Sequence, residues 1–406
     1  MRAMGKTRVL FGVLVALVIV AAASAGGSAT PGVTSKQILI GGTTPLSGPA
    51  SAYAAVAKGA DAYFKYVNAR GGVFGRSIKY KYVDDAYDPS QTIQKTRDLV
   101  QNDKVYAIYN TLGTEQNLAV RSYLNQLKVP QLLVASGAST WGNNYKKYPW
   151  TIGYQPSYKG EAALYGRYIA KSKPTARIGV LYQNDDYGKE LVAGLQRGLG
   201  KKAKLIVAKQ SYDVTDSNVR SQIAKLKSKR ANTLMLFATP TFAIGAYYAA
   251  STLGWRPKVY VNAVSSAANV MGIATAATSK KQTEGSISIV FLKDPTEAHW
   301  KTDPGVKLYR SIMKRYKGGN PNDVYAVYGM SAAHTFVAAL KKAGRNLTRL
   351  GIMKAATSLN IKNDPFLLPG MTVRTTKSDH FPLDQAKLQR YHAGHWVSFG
   401  GLFRVR

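Results

Sequence analysis

The sequence contains no cysteine among its 406 residues and is poor in acidic residues, with 21 Asp and Glu against 56 Lys and Arg. The lack of cysteine excludes disulfide bonds, zinc–thiolate sites, iron–sulfur clusters and thiol nucleophiles. The shortage of acidic residues leaves a net charge of +35 at pH 7. Because 45% of the residues are hydrophobic, the chain is too apolar for a disordered protein, and its length predicts two or three globular units.

The first 25 residues have the pattern of a secretory signal peptide. Its parts are a basic start (Arg2, Lys6, Arg8), an apolar run (Val9 to Ala23) and a small-residue cleavage motif (Ala23-Ser24-Ala25). An uncleaved membrane anchor is the alternative, although the apolar run is shorter than the roughly 20 residues that a membrane helix needs. We expect cleavage after Ala25, a flexible linker at 26–35, and a mature protein that is soluble in the periplasm or secreted.

Beyond the linker, short apolar runs alternate with amphipathic patterns of helical length. This alternation is typical of α/β folds with parallel sheets, and two separate series of it predict two lobes. We assign residues 36–153 and 284–362 to lobe 1, and residues 154–283 and 363–406 to lobe 2. The chain then crosses between the lobes three times, and a three-segment hinge of this kind suits closure about a cleft.

The sequence shows no arrangement of residues that supports catalysis or metal binding. His392 and His395 have no acidic neighbour in sequence and are interpreted as a surface pair. The acidic cluster Asp84, Asp85 and Asp88 lacks the later Glu of a calcium loop. No nucleotide-binding loop and no nucleophile–base motif is present. The sequence therefore predicts a protein that is not an enzyme and that has no cofactor and no metal site.

Small, hydroxyl-rich loops follow three of the predicted strands in the first lobe, at Thr43–Pro49, Thr111–Thr114 and Ala135–Ser139. In open α/β sheets, ligands bind at the carboxyl ends of the strands. Free N–H groups and hydroxyls at helix N-termini favour an anion such as a carboxylate. The loops therefore predict a carboxylate-binding site, and Tyr53, at the start of the first predicted helix, could form one of its walls.

The order and spacing of several short motifs resemble a known family over nearly the whole chain beyond the signal. The sequence is similar to the branched-chain amino-acid type (Leu/Ile/Val-binding-protein-like) of periplasmic substrate-binding protein of ABC transporters, which has the type I periplasmic-binding fold. The motifs that carry the resemblance are Gly42–Pro49, Val67–Arg76, Asp84–Pro89, Val129-Pro130, Ala135–Ser139, Asp186-Tyr187-Gly188 and Leu368-Pro369-Gly370.

The resemblance implies two Rossmann-like lobes that close on a small ligand. By motif position, the ligand-binding residues it implies are Tyr53, Gly113, Thr114, Gly137, Ala138, Ser139, Tyr187, Phe242 and Ser265. Amino-acid binders of the family carry an acidic residue near the position of Ser265, and the stretch Val261–Asn269 has none. Either the ligand lacks an amine, or an acidic residue such as Asp185 or Asp186 reaches the site from elsewhere.

The expected function is that of an extracytoplasmic receptor which delivers a small carboxylate-bearing ligand to an ABC permease in the membrane. The ligand is a branched-chain or other amino acid, or an amine-free or aromatic acid. A sensor subunit that signals to a membrane receptor is the alternative with the same fold. Because the basic residues are scattered, with Lys225–Arg230 as one of several short clusters, we expect no specific nucleic-acid partner.

Overall fold

A computed structural model describes residues 30–406 of the protein. The predicted signal peptide at 1–25 lies outside the described residues, as does the first part of the predicted linker. Residues 30–35 differ from a flexible linker because they turn back onto the first strand. Val33 forms an antiparallel bridge with Ile38, and the carbonyl of Gly32 accepts a hydrogen bond from the amide of Leu39 at 2.7 Å.

The first lobe is built on a sheet of five parallel strands in the order β2-β1-β3-β4-β5. Strand β4 is buried along its whole length, as expected for a sheet covered by helices on both faces. The elements in chain order are β1 (Gln37–Thr44), α1 (Ala54–Asn68), β2 (Ser77–Asp84), α2 (Pro89–Gln101), β3 (Ile108–Tyr109), α3 (Thr114–Gln126), β4 (Gln131–Val134), α4 (Thr140–Asn143) and β5 (Thr151–Gly153).

The second lobe contains a sheet of seven strands in the order β14-β13-β10-β9-β8-β6-β7. Its five-stranded part is parallel, and β13 and β14 extend it in antiparallel fashion. The elements are α5 (Tyr158–Ser172), β6 (Ile178–Gln183), α6 (Asp186–Leu199), β7 (Ile206–Tyr212), α7 (Arg220–Ser228), β8 (Thr233–Phe237), α8 (Pro240–Thr252), β9 (Lys258–Val261), α9 (Ala268–Ala277), α10 (Lys280–Thr283), β10 (Ile287–Val290), β13 (Gln385–His392) and β14 (His395–Arg404).

A helical segment between β10 and β13 returns to the first lobe. Its elements are α11 (Pro304–Arg315), α12 (Val324–Ala343), α13 (Arg349–Ala356), β11 (Asn360–Lys362) and β12 (Thr372–Arg374). The hydroxyl of Tyr106 donates to the carbonyl of Thr348 at 2.9 Å, and the guanidinium of Arg349 donates to the carbonyls of Val105 and Tyr106. These bonds tie the start of α13 to the segment that leads into β3.

The structure differs from the predicted lobe boundaries in two places. Residues 284–290 were assigned to lobe 1, but β10 pairs with β9 and β13 of the second sheet. Residues 363–384 were assigned to lobe 2, but β12 pairs with β11, and Thr375 hydrogen-bonds the backbone of Ala356 and Leu359. A lone apolar strand does not reveal from sequence which of two sheets it joins.

The chain passes between the two lobes three times, after β5, after β10 and before β13. These crossings place the carboxyl ends of the parallel strands of both sheets at a common cleft, which is where ligands bind in such sheets. Within residues 30–406, no helix combines the length and the apolar character that crossing a membrane requires.

Candidate functional site

A cavity lies between the lobes, and its volume is about 870 Å³ when the open mouth is included. It is lined by strand ends and helix starts of both lobes and by the crossing after β10. The lining residues are Tyr53, Val56, Tyr87, Leu112, Gly113, Ala135, Gln155, Tyr158, Tyr187, Thr239, Ala263, Val264, Ser266, Ile289, Val290, Phe291, Leu292, Asp294, Val324, Tyr325, Tyr328 and Gln389.

Tyrosine is the commonest residue of the cavity wall, with six side chains from both lobes. Tyr53 and Tyr325 pack edge to face with ring centroids 5.1 Å apart, and Tyr158 and Tyr187 do so at 4.9 Å. Edge-to-face packing is a favourable arrangement for aromatic rings. These pairs give the cavity two rigid aromatic walls.

Two of these tyrosines also join the lobes. The hydroxyls of Tyr53 and Tyr325, both in the first lobe, donate to the carbonyl of Val264 in the second lobe at 3.0 and 2.7 Å. Within the second lobe, the hydroxyl of Tyr187 donates to the side-chain oxygen of Asn262 at 2.9 Å. Since the three hydroxyls are already bonded, the rings offer mainly aromatic surface to a ligand.

Asp294 is the one charged residue among those that line the cavity, and no Lys, Arg or His in the described part of the chain does so. Asp294 is 5% exposed. Its Oδ1 accepts hydrogen bonds from the amide and the hydroxyl of Thr296 at 2.8 and 2.7 Å. Burial raises the pKa of the Asp294 carboxyl above its ordinary value, although these bonds and Arg310 act against the shift.

Three further carboxyl groups with raised pKa values lie near residues of the cavity wall, in sequence or through hydrogen bonds. Glu161 accepts hydrogen bonds from the hydroxyl of Tyr165 at 2.6 Å and from the amide of Ala263 at 2.8 Å, and burial raises its pKa to about 7. Burial likewise raises the pKa of Asp185 and of Asp323 to about 6 each. Removing a carboxylate from water favours its neutral form, so these three acids are protonated more easily than exposed ones.

Of the nine ligand-binding residues predicted from sequence, the structure places Tyr53, Gly113 and Tyr187 at the cavity wall. The other six do not line it. Thr114 shares a hydrogen bond with the hydroxyl of Ser136 at 2.7 Å, and the amide of Ala138 donates to the same hydroxyl at 3.2 Å. Gly137 packs closely against Tyr158, with no room for a side chain.

Ser139 was predicted to hold the ligand carboxylate, and the structure assigns its donors differently. The amide and the hydroxyl of Ser139 donate to the two carboxylate oxygens of Glu190, on α6 of the second lobe, at 2.8 and 2.6 Å. A second bond runs between the same lobes, where the amide of Asp186 donates to Glu115 at 2.9 Å. We call these four residues the carboxylate clasp. The two donors of Ser139 are therefore occupied by a side chain of the protein itself.

Phe242 and Ser265 also lie away from the cavity wall. Phe242 packs against Tyr212 in the core of the second lobe, with ring centroids 4.2 Å apart. The hydroxyl of Ser265 donates to the carbonyl of Ala238. The neighbours Val264 and Ser266 line the cavity instead, so the predicted loop lies at the cavity although Ser265 itself does not line it.

Sequence reasoning missed most of the cavity wall, including Tyr87, Tyr158, Tyr325, Tyr328 and Asp294. Asp294 carried a usable signal, because it follows the short apolar run of β10 in the sequence and ligands bind where such strands end. Tyr325 and Tyr328 carried no such signal, since two aromatic residues at helical spacing are also typical of the buried face of a helix.

The acidic cluster of the sequence has a structural role. Asp84 accepts hydrogen bonds from the amides of Leu46, Ser47 and Ala86, and Asp88 caps α2 by accepting from the amide of Ser90. In residues 30–406, no group of three or more His, Cys, Asp or Glu side chains is arranged to hold a metal ion.

Comparisons with known proteins all indicate the same family. The model of the family described as periplasmic binding protein matches residues 37–395. Leu/Ile/Val-binding protein homolog 3 of Brucella melitensis is 25% identical over 48% of this chain, and the match spans about half of that relative (52%). Leu/Ile/Val-binding protein homolog 7 of Brucella suis is 22% identical over 81% of this chain and 82% of its own length.

Solved structures show the same fold. A branched-chain amino acid ABC transporter protein from Thermus thermophilus with bound valine has a TM-score of 0.79 and 18% identity, over 92% of this chain and 97% of that one. A fatty acid ABC transporter substrate-binding protein from Thermomonospora curvata has a TM-score of 0.77 and 21% identity, over 92% and 94%. At these identities, the likeness concerns the fold alone.

Proposed function

Because the chain belongs to the periplasmic binding protein family, we propose that it is an extracytoplasmic receptor for a small organic solute, which it delivers to an ABC permease. The proposed binding site is the cavity between the lobes, and the body of the ligand packs against its tyrosines. Tyr53, Gly113 and Tyr187 are the predicted site residues that we retain. Ser139 takes a different role in this proposal, as a contact between the lobes.

The observation that carries the proposal is the position of the cavity at the ends of strands from both sheets, with one wall from each lobe. Six tyrosines and a majority of aliphatic neighbours supply apolar area, and the few polar groups, including Gln155, Thr239 and Gln389, can orient a ligand. This combination of an apolar wall with few polar groups is typical of small-molecule sites.

Closure of the lobes is the proposed mechanism. In the structure the cleft is bridged by Tyr53 and Tyr325 on Val264, by the carboxylate clasp, and by the hydroxyl of Thr241 on the carbonyl of Pro49 at 2.9 Å. A ligand that contacts both walls favours this closed state by its differential affinity for it. The permease then distinguishes the loaded receptor by the position of its lobes.

A thermal-shift panel with a blocked cavity tests the binding site. The panel contains amino acids, amine-free acids, amides and amines with aliphatic and aromatic bodies. A ligand at 100 times its dissociation constant adds about 2.7 kcal/mol to the free energy of unfolding. We expect a shift with the unmodified protein and none with Val264→Trp, which fills the cavity and keeps the backbone carbonyl that Tyr53 and Tyr325 use.

Val397→Trp is the matched control, because Val397 is 52% exposed on β14 and does not line the cavity. The same shift in both tryptophan variants would contradict the proposed site. Delivery is tested separately, by stimulation of ATP hydrolysis by the reconstituted permease with loaded and unloaded protein. Stimulation that does not depend on the ligand would contradict the proposed transport role.

A further inference from the structure

The cavity has an unusual balance of charge for a receptor of an acid. Its wall contains one carboxylate, Asp294, and no cationic side chain from residues 30–406. The same asymmetry holds for the interior as a whole. Six Asp and Glu residues are buried in the described chain, whereas Arg121 and Lys293 are its buried Arg and Lys residues. An anion in this cavity would meet no positive side chain.

Several of the donors predicted to bind a ligand carboxylate, on Gly113, Ala138 and Ser139, are already used within the protein. The amide of Gly113 donates to the carbonyl of Ala135 at 3.2 Å, and the amide of Ala138 donates to Ser136. Both donors of Ser139 bind Glu190. A buried carboxylate without donors costs several kcal/mol, so the structure opposes a carboxylate at these loops.

We infer that the ligand is an organic cation without a carboxylate, whose ammonium group meets Asp294 and whose apolar or aromatic body packs against the tyrosines. This inference rests on the proposed function and narrows the class of its ligand. It also answers the question left by the stretch Val261–Asn269, because the missing acidic residue is supplied from the crossing after β10.

The geometry of Asp294 suits this role. One oxygen is held by Thr296, which fixes the carboxyl group in place, and the other has no hydrogen bond to any residue of the described chain. The neighbouring charged groups are Glu297 and Asp323, both acidic, and Arg310. The guanidinium of Arg310 donates to the carbonyl of Pro295 and to Asn322, and it makes no ion pair with Asp294.

The tyrosine rings complement a cation in a second way. The face of an aromatic ring attracts an ammonium group placed within about 6 Å of its centre, and the attraction is stronger when the pair is removed from water. The two edge-to-face pairs, Tyr53 with Tyr325 and Tyr158 with Tyr187, present aromatic surface from both lobes. A carboxylate would be repelled by the same ring faces.

Titration calorimetry with probes of matched shape and different charge tests the inference. The aromatic series is 2-phenylethylamine, phenylalanine, 3-phenylpropanamide and 3-phenylpropionate, and the aliphatic series is isopentylamine, leucine and 4-methylpentanoate. We expect the amine of either series to bind about 100-fold more tightly than its acid, because only the amine is paired inside the cavity. The series uses the unmodified protein and does not depend on the folding of any variant.

Asp294→Asn removes the negative charge and keeps the local hydrogen bonds, because the amide oxygen of asparagine still accepts from Thr296. We expect amine binding to weaken about 10- to 100-fold, as for the loss of a charged hydrogen bond. Asp323→Asn is the matched control, since Asp323 caps α12 without lining the cavity and Asn caps equally well. Equal weakening by both variants would overturn the proposed contact.

Three further outcomes overturn the inference. They are tighter binding of the acids, tighter binding of the zwitterions than of the amines, and no binding of either series at the solubility limit. In the first two cases, loss of binding in Val264→Trp would show that the proposed receptor function survives. Binding that persists in Val264→Trp would contradict the proposed function as well.

Discussion

Glu161 shows how burial makes a single carboxyl group sensitive to pH. It is 1% exposed, and its pKa is raised by burial from 4.5 to about 7. Between these values the folded protein binds more protons than the unfolded chain, so the free energy of unfolding falls as the pH rises. The loss contributed by Glu161 approaches about 3 kcal/mol above pH 7.

Glu161→Gln should therefore flatten the dependence of stability on pH. The glutamine oxygen still accepts hydrogen bonds from Tyr165 and Ala263, and its side chain stays neutral. We expect the free energy of unfolding of the variant to rise relative to that of the unmodified protein as the pH rises. Urea unfolding at about pH 5 and about pH 8 measures this difference. Asp185 and Asp323 titrate in both proteins and cancel in the comparison. A constant difference between the two proteins would contradict the raised pKa.

At individual positions, the aromatic residues predicted for the site lie at the cavity wall more often than the predicted anion donors do. Tyr53 and Tyr187 line the cavity, whereas Phe242 packs in the core of the second lobe. The sequence position of Ser139 was equally suited to ligand binding, but its donors bind Glu190, which lies 51 residues away in the sequence. Sequence spacing does not reveal such a long-range competitor.

Close approach of helices α1 and α12 depends on glycine. A Cβ atom at Gly59 would lie 2.2 Å from the carbonyl oxygen of Ala326, and one at Gly329 would lie 1.9 Å from that of Val56. Gly59→Ala must push the two helices apart. We expect it to lower the free energy of unfolding by about 1–3 kcal/mol, the usual cost of overpacking.

Gly272→Ala is the control for helix propensity. Gly272 lies inside α9, and a Cβ atom there would meet nothing within 4 Å. Alanine should stabilise this helix by up to about 1 kcal/mol. Both variants are compared by chemical unfolding, and a stabilised Gly59→Ala protein would contradict the close packing of α1 against α12.

The carboxylate clasp links helix starts across the cleft. Glu115, in the first turn of α3, accepts from the amide of Asp186 at the start of α6, and Glu190 of α6 accepts from Ser139 just before α4. Carboxylates are favoured at helix N-termini. Because both bonds form only when the lobes meet, the clasp stabilises the closed state without contacting the ligand.

Glu190→Gln should weaken ligand binding by favouring the open state. A net loss of about 0.5–1.5 kcal/mol per hydrogen bond corresponds to a roughly 2- to 10-fold weaker affinity. Calorimetry measures the affinity, and small-angle scattering should show a larger radius of gyration. Glu284→Gln is the control, since Glu284 bonds His392 within the second lobe. Unchanged affinity in Glu190→Gln would contradict the role of the clasp in closure.

The alternation of strands and helices was readable from sequence because buried parallel strands are short apolar runs and helix starts carry their own caps. Asp88 and Pro89 are an example, since Asp88 caps α2 and Pro89 is its first residue. The assignment of β10 failed for a physical reason. Its partners, β9 and β13, lie on either side of it in the sheet but are distant from one another in sequence, and hydrogen bonding to them leaves no local pattern.

In the described part of the molecule, basic side chains lie mostly at the surface and acidic side chains are the more frequent charged type in the interior. Six buried carboxylates contrast with two buried Lys and Arg residues in residues 30–406, although Lys and Arg outnumber Asp and Glu by 56 to 21. Charges at the surface act on large polyanions, whereas at physiological salt they are screened beyond about 8 Å. The surface and the cavity should therefore respond differently to salt.

We expect the protein to be retained on vesicles that contain anionic lipid at low salt and to be released at high salt, because many scattered lysines contribute weakly and additively. Ligand binding in the cavity should change little over the same range, since Asp294 and the tyrosines are buried. Co-sedimentation with anionic and with neutral vesicles measures the first effect, and calorimetry measures the second. Vesicle retention that resists salt would indicate an apolar membrane contact, and a ligand affinity that falls with salt in parallel with retention would place the ligand on the basic surface.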